Sequence, residues 1–148
     1  MSTRLLTLLL LAVALVAVSG CNTLSKQPRI TEAAIEPQPL KPGDSAVITL
    51  AVKDKNAIIN RIEGVVLEDP RLTFKLRDDG ETPDQKAGDG VWSMRVDVPF
   101  QAPPGEFRLE FTAFDKTGTP ISVRDKNKRV MPLQQVLPLQ IVYAENKQ

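Results

Sequence analysis

From residue 29 onwards the chain alternates. Between residues 45 and 53, Ala46, Ile48, Leu50 and Val52 take every second position, with Thr49 and Lys53 on the other face. A period of two sends successive side chains to opposite sides of an extended backbone, so each such stretch predicts a strand with one apolar face. The pattern recurs over residues 29–36, 58–67, 72–76, 92–98, 107–113, 121–123 and 136–143. It places Ile58, Ile62 and Val66 inward in one strand, and Leu72, Phe74 and Leu76 in the next. Trp92, Met94, Val96 and Val98 share a face, as do Phe107, Leu109, Phe111 and Ala113. Turn formers separate the stretches: Gly43-Asp44, Pro103-Pro104-Gly105 and Gly118. A one-sided apolar strand must bury that side against another sheet. Seven or eight of them predict an all-β chain folded as a single antiparallel β-sandwich.

Residues 1–20 read otherwise. Arg4 precedes an apolar run from Leu5 to Val18, and the small residues Ser19 and Gly20 follow. This is the layout of a secretory signal peptide. The run is shorter than the roughly 20 residues a transmembrane helix needs. Directly after it stands Cys21, the only cysteine in the chain. Val18-Ser19-Gly20-Cys21 resembles the lipobox of bacterial lipoproteins: a branched apolar residue, two small residues and Cys. The resemblance implies a diacylglycerol thioether on Cys21, cleavage before it and acylation of the new amine. One chain anchors only marginally, at about 0.8 kcal/mol per buried methylene, whereas two or three hold stably. On this reading residues 1–20 are removed, 21–28 are the lipidated cysteine and a short tether (NTLSKQP), and 29–148 form the domain. So short a tether keeps the domain close to the bilayer. In enteric-type lipoproteins an Asp after the lipidated Cys retains the protein in the inner membrane. Asn22 stands here, so the same resemblance favours the outer membrane, facing the periplasm.

Composition narrows the function. The chain has 19 basic and 18 acidic residues, and Arg4 is the only charge before Cys21. The mature form is therefore close to neutral, which argues against a nucleic-acid partner. With Cys21 acylated no thiol remains for a disulfide or a nucleophile, and stability must come from the core. The chain has no His, which removes Ser-His-Asp triads and His-ligated zinc. Paired carboxylates could still hydrolyse glycosides, but the acidic residues cluster where a turn explains them better. The expectation is a protein that is not an enzyme.

That cluster is residues 78–92, DDGETPDQKAGDGVW. From here to Gly118 the chain is similar to a recurring bacterial immunoglobulin-like module. In that module a strand ends in DDG, an acidic loop follows, and AGDG leads into an aromatic-containing strand. A Pro-Gly turn and a strand ending in Asp-x-x-Gly come next, here Asp115 to Gly118. The resemblance implies an immunoglobulin-like sandwich and leaves the function open, since such modules occur in many unrelated proteins. Two chemistries fit the loop. Asp carboxylates accept neighbouring N–H groups and Gly supplies positive φ, so DDG and GDG make turns without a ligand. Alternatively Asp78, Asp79, Asp84 and Asp89 ligate Ca²⁺, which takes six to eight oxygens. The spacing is not an EF-hand ladder and Lys86 lies inside the loop, so the turn is preferred and no cofactor is expected beyond the covalent lipid.

Three other features carry alternatives. Trp92 could be a sugar-stacking platform, although its phase with Met94 places it in the core. Tyr143 is expected at the sandwich edge. Arg124, Lys126, Lys128 and Arg129 are a solvated loop, or a patch facing lipid phosphates or an acidic partner. Beside them, VMPLQQVLPL (130–139) is an edge strand guarded by Pro or a docking surface. The functional expectation is a membrane-anchored lipoprotein whose module binds or scaffolds an envelope protein. The alternative is a calcium-dependent or carbohydrate-binding surface module.

Overall fold

A computed structural model describes residues 27–143; Cys21 and the cleavage site lie outside the described residues. Seven strands form two sheets. The first has the order β1 (Arg29–Glu36), β2 (Ser45–Lys53), β5 (Val91–Asp97). The second has the order β4 (Asp69–Leu76), β3 (Arg61–Val66), β6 (Gly105–Phe114), β9 (Gln134–Ile141). Every pairing within them is antiparallel. A small hairpin, β7 (Ser122–Arg124) and β8 (Val130–Pro132), is inserted between β6 and β9. The architecture is an immunoglobulin-like β-sandwich.

The alternation builds the core. Ala46, Ile48, Leu50 and Val52 of β2 are buried, and so are Ile62 and Val66 of β3 and Leu109, Phe111 and Ala113 of β6. Leu137, Leu139 and Ile141 of β9 complete the second sheet's inner face. At its centre Phe111 pairs with Gly64 of β3. A Cβ on Gly64 would stand 2.5 Å from two carbons of the Phe111 ring, so the aromatic ring occupies the space a side chain at 64 would need.

Backbone pairs lace both sides of the sandwich. After β1 the chain crosses to the second sheet, where Leu40 makes a parallel bridge with Ile141. The Gln38 side chain extends this pairing: its Nε2–H donates to the Pro138 carbonyl at 3.2 Å, and its Oε1 accepts the Gln140 N–H at 3.1 Å. On the other side Arg77 bridges to Ser93, joining the end of β4 to β5. These crossings cover part of the otherwise unpaired edges.

Two inward assignments do not hold. Ile58 is 42% exposed, because β3 begins only at Arg61 and residues 54–60 turn about Asp54, whose carboxylate accepts the Ile59 N–H at 2.7 Å. Leu72 is 54% exposed. It lies where β4 loses register with β3: Val65 pairs with Thr73 but Val66 pairs with Asp69, so residues 70–72 have no β3 partner, whereas Leu76 further along the same strand is paired and buried. The 130–139 run is split between β8 and β9, with Leu133 buried at the junction. β9 is an edge strand with Pro138 in it, as the prolines suggest.

Candidate functional site

The strand directions define two poles. The start of β1, the 54–60 loop, the acidic 78–90 loop and the β7–β8 hairpin share one. The ends of β1, β5 and β9 share the other.

At the first pole the acidic loop is folded around its own carboxylates. Asp78 receives three backbone donors: Gly88 N–H at 2.7 Å and Asp89 N–H at 3.2 Å on Oδ1, and Gly90 N–H at 3.1 Å on Oδ2. Asp84, buried, accepts Gly80 N–H at 2.5 Å and Lys86 N–H at 3.3 Å. Asp89 accepts the Val91 N–H at 2.9 Å. Gly90 has φ +83°, and a Cβ there would come within 2.6 Å of the Val52 carbonyl, so the turn into β5 requires glycine.

The four candidate ligands separate. Asp78, Asp84 and Asp89 each offer an oxygen within 4.8 Å of the others. Asp79 points elsewhere: it bonds Arg77 Nε at 2.5 Å and the Glu81 N–H at 3.0 Å, and Arg77 also pairs with Glu81. The Glu81 N–H, and after it the Arg77 guanidinium, hold the Asp79 carboxyl below its ordinary range. Three carboxylates within that spacing could contact one hard cation, short of the six to eight oxygens Ca²⁺ requires. Their backbone partners account for the convergence without it.

Beside the loop, Asn60, Arg61, Lys75, Leu76, Arg77, Asp78, Asp79 and Trp92 line an open cleft of about 510 Å³. Trp92 has the inward phase expected, opposite Leu50, yet it is only half-buried and forms part of the cleft wall. Arg61 is tied down by Glu63 at 2.8 Å and by the Phe114 ring, 4.9 Å from its guanidinium carbon to the ring centroid.

The basic residues Arg124, Lys126, Lys128 and Arg129 surround the turn of the β7–β8 hairpin, all exposed. Asp125 organises the turn by accepting the Asn127 and Arg129 N–H groups at 2.8 and 2.9 Å, and its other oxygen pairs with the Arg129 guanidinium at 2.9 Å. Among the described residues, no carboxylate lies in ion-pair reach of Arg124, Lys126 or Lys128.

The second pole carries Phe100, which the sequence does not single out, beside the chain's Tyr143, expected at the sandwich edge. Phe100 is 82% exposed and Tyr143 is 56% exposed. The Tyr143 hydroxyl donates to the Ala102 carbonyl at 3.3 Å, which holds it against the 99–104 loop. The sequence signal was the Pro-Phe-Gln-Ala-Pro-Pro context of Phe100: an aromatic two residues beyond Val98, in a Pro-rich turn segment past the end of β5.

Against known proteins, no family model matches the chain and no curated protein matches it. Among solved structures it is similar to the endo-β-1,4-mannanase from Thermotoga petrophila, with a TM-score of 0.49 and 10% identity over 80% of this chain. The chain spans about a fifth (20%) of that enzyme's length.

Proposed function

We propose that this chain is a lipoprotein, anchored through Cys21 to the envelope membrane and facing the periplasm, whose immunoglobulin-like domain is a non-catalytic module for binding or scaffolding a protein. The observation that carries the binding role is the exposed pair Phe100 and Tyr143. Aromatic side chains are enriched at protein interfaces, and both of these are held in place: Tyr143 by its bond to Ala102, Phe100 by packing its ring over Gly43. Their position supports the reading. β2 alone spans about 30 Å at 3.3 Å per residue, so this pole stands well away from the one where the chain enters. An anchored domain would present it outward. The carboxyls whose pKa moves, Glu68, Asp69, Asp79, Asp97, Asp115 and Asp125, are all lowered by N–H, O–H or guanidinium donors. That suits ionised structural acceptors rather than proton donors.

The test is site-specific photocrosslinking in intact envelopes. A photo-reactive phenylalanine at position 100 is expected to give a discrete protein adduct that weakens with Tyr143→Ala, while the same probe at Thr73 gives none. Equal labelling at both positions, or none at 100, would contradict a binding role for this pole.

A second reading is favoured by one observation: Asp78 belongs both to the three-carboxylate cluster and to the cleft that Trp92 lines. A cation at the cluster would therefore border an aromatic surface suited to a sugar. The backbone donors on Asp78, Asp84 and Asp89 favour the turn, and millimolar Ca²⁺ is then expected to leave the melting temperature unchanged. A bound cation at one hundred times its dissociation constant would add about 2.7 kcal/mol, several degrees for a domain of this size. A calcium-dependent rise abolished by Asp84→Asn and Asp89→Asn would put the cation-dependent module first.

A further inference from the structure

The chain enters the domain against the β7–β8 hairpin. The Gln27 side chain bonds the Arg124 backbone in both directions: Nε2–H donates to the carbonyl at 2.8 Å, and Oε1 accepts the N–H at 2.9 Å. A neighbouring strand would pair in the same way, so position 27 is fixed beside the last residue of β7. Cys21 lies six residues earlier. A fully extended chain covers only about 20 Å over that length. Acyl chains on Cys21 would thus hold the turn end of the hairpin within about 20 Å of a bilayer surface.

The hairpin has the composition for that location. Arg124, Lys126 and Lys128 are exposed without a carboxylate partner among the described residues, and Val130 and Met131, 64% and 47% exposed, follow at once. Cations attract anionic headgroups, and adjacent apolar side chains partition into the headgroup boundary. The acidic loop is at the same pole but on the opposite side. It joins β4 to β5, outer strands of the two sheets, whereas the hairpin leads into β9 at the other edge. The pole is therefore negative on the β4/β5 side and positive on the β9 side. An anionic surface draws the positive side down.

We propose that the β7–β8 hairpin is a second membrane contact. Arg124, Lys126 and Lys128 meet the phosphates of anionic lipids in the leaflet that holds the Cys21 acyl chains, and Val130 and Met131 enter the headgroup boundary. The proposal rests on the lipid-anchor reading. Three cations bind a bilayer only weakly by themselves; here the tether supplies the local concentration. The contact fixes orientation, with the hairpin side toward the membrane and the Phe100 pole away from it.

The test uses the full lipidated protein purified from membranes and placed in vesicles of phosphatidylcholine alone or of phosphatidylcholine with phosphatidylglycerol. Amide hydrogen exchange is read over residues 124–131. The expected result is about tenfold slower exchange in the anionic vesicles, reversed by high salt. The triple variant Arg124→Gln, Lys126→Gln, Lys128→Gln should remove the effect and leave the melting temperature unchanged. Equal exchange in both vesicle types, with Cys21 acylated, overturns the membrane contact and leaves the anchor standing. Insensitivity to lipid together with carbodiimide crosslinks from Lys126 or Lys128 to an acidic envelope protein also overturns it, in favour of a protein partner. Protein that carries no acyl group and stays on neither vesicle overturns the anchor reading, and this proposal with it.

Discussion

Phe111→Ala is expected to lower the free energy of unfolding by about 3–5 kcal/mol. Total stabilities of single domains are about 5–15 kcal/mol, so this one change removes a large share. Phe111 is fully buried and central in β6, between the pairings that β6 makes with β3 and β9. Its ring fills the space over Gly64, so truncation opens a void opposite a residue with no side chain to fill it. The same contact makes the reverse change costly. Gly64→Ala sets a methyl 2.5 Å from the ring, and overpacking of this kind costs about 1–3 kcal/mol. Because the two residues share one space, their effects should not add: Gly64→Ala with Phe111→Leu should be more stable than the separate losses sum to. Urea unfolding of the wild type, Phe111→Ala, Gly64→Ala, Phe111→Leu and the double variant measures this. A loss below about 1 kcal/mol for Phe111→Ala would contradict the core as described.

Much of this architecture is legible in the residues themselves. The first two strands have the expected bounds, 29–36 and 45–53: Pro37-Gln38-Pro39 ends the first, Gly43-Asp44 opens the second, and every second position of the second from Ala46 to Val52 is apolar. The inward phase of Trp92, and of Phe107 through Ala113, follows for the same reason. Alternation tells which side of a strand is apolar. It does not tell where a strand begins or loses register: Ile58 falls in the loop before β3, and Leu72 in the irregular part of β4. The acidic loop was legible as a turn, but not in its division of labour. Asp78 and Asp79 are adjacent and identical, yet one gathers three backbone N–H groups and the other pairs with Arg77. That choice is made by the path of the backbone. Nor does a glutamine announce that its amide will stand in for a peptide group, as Gln27 and Gln38 do at two strand edges.

The second large effect concerns the anchor. Cys21→Ser is expected to abolish lipid labelling altogether and to leave an uncleaved precursor or a soluble protein. The chain has no other cysteine to take the thioether. Without acyl chains the apolar run from Leu5 to Val18 is too short to serve as a stable span in their place. The domain should fold as before, because among the described residues the buried core cluster runs from Ile35 to Ile141, well clear of Cys21. The variant therefore separates anchoring from folding: membrane association is lost while the melting temperature of the domain is kept. A Cys21→Ser protein that is still processed and membrane-bound like the wild type would remove the lipoprotein reading.

The most direct measurement is the mass of the N-terminal peptide of the wild-type protein recovered from the membrane fraction. The account predicts a peptide beginning at Cys21 that carries a diacylglyceryl thioether and an acylated amine. An unmodified Cys21, or a mature chain beginning at any other residue, would contradict it.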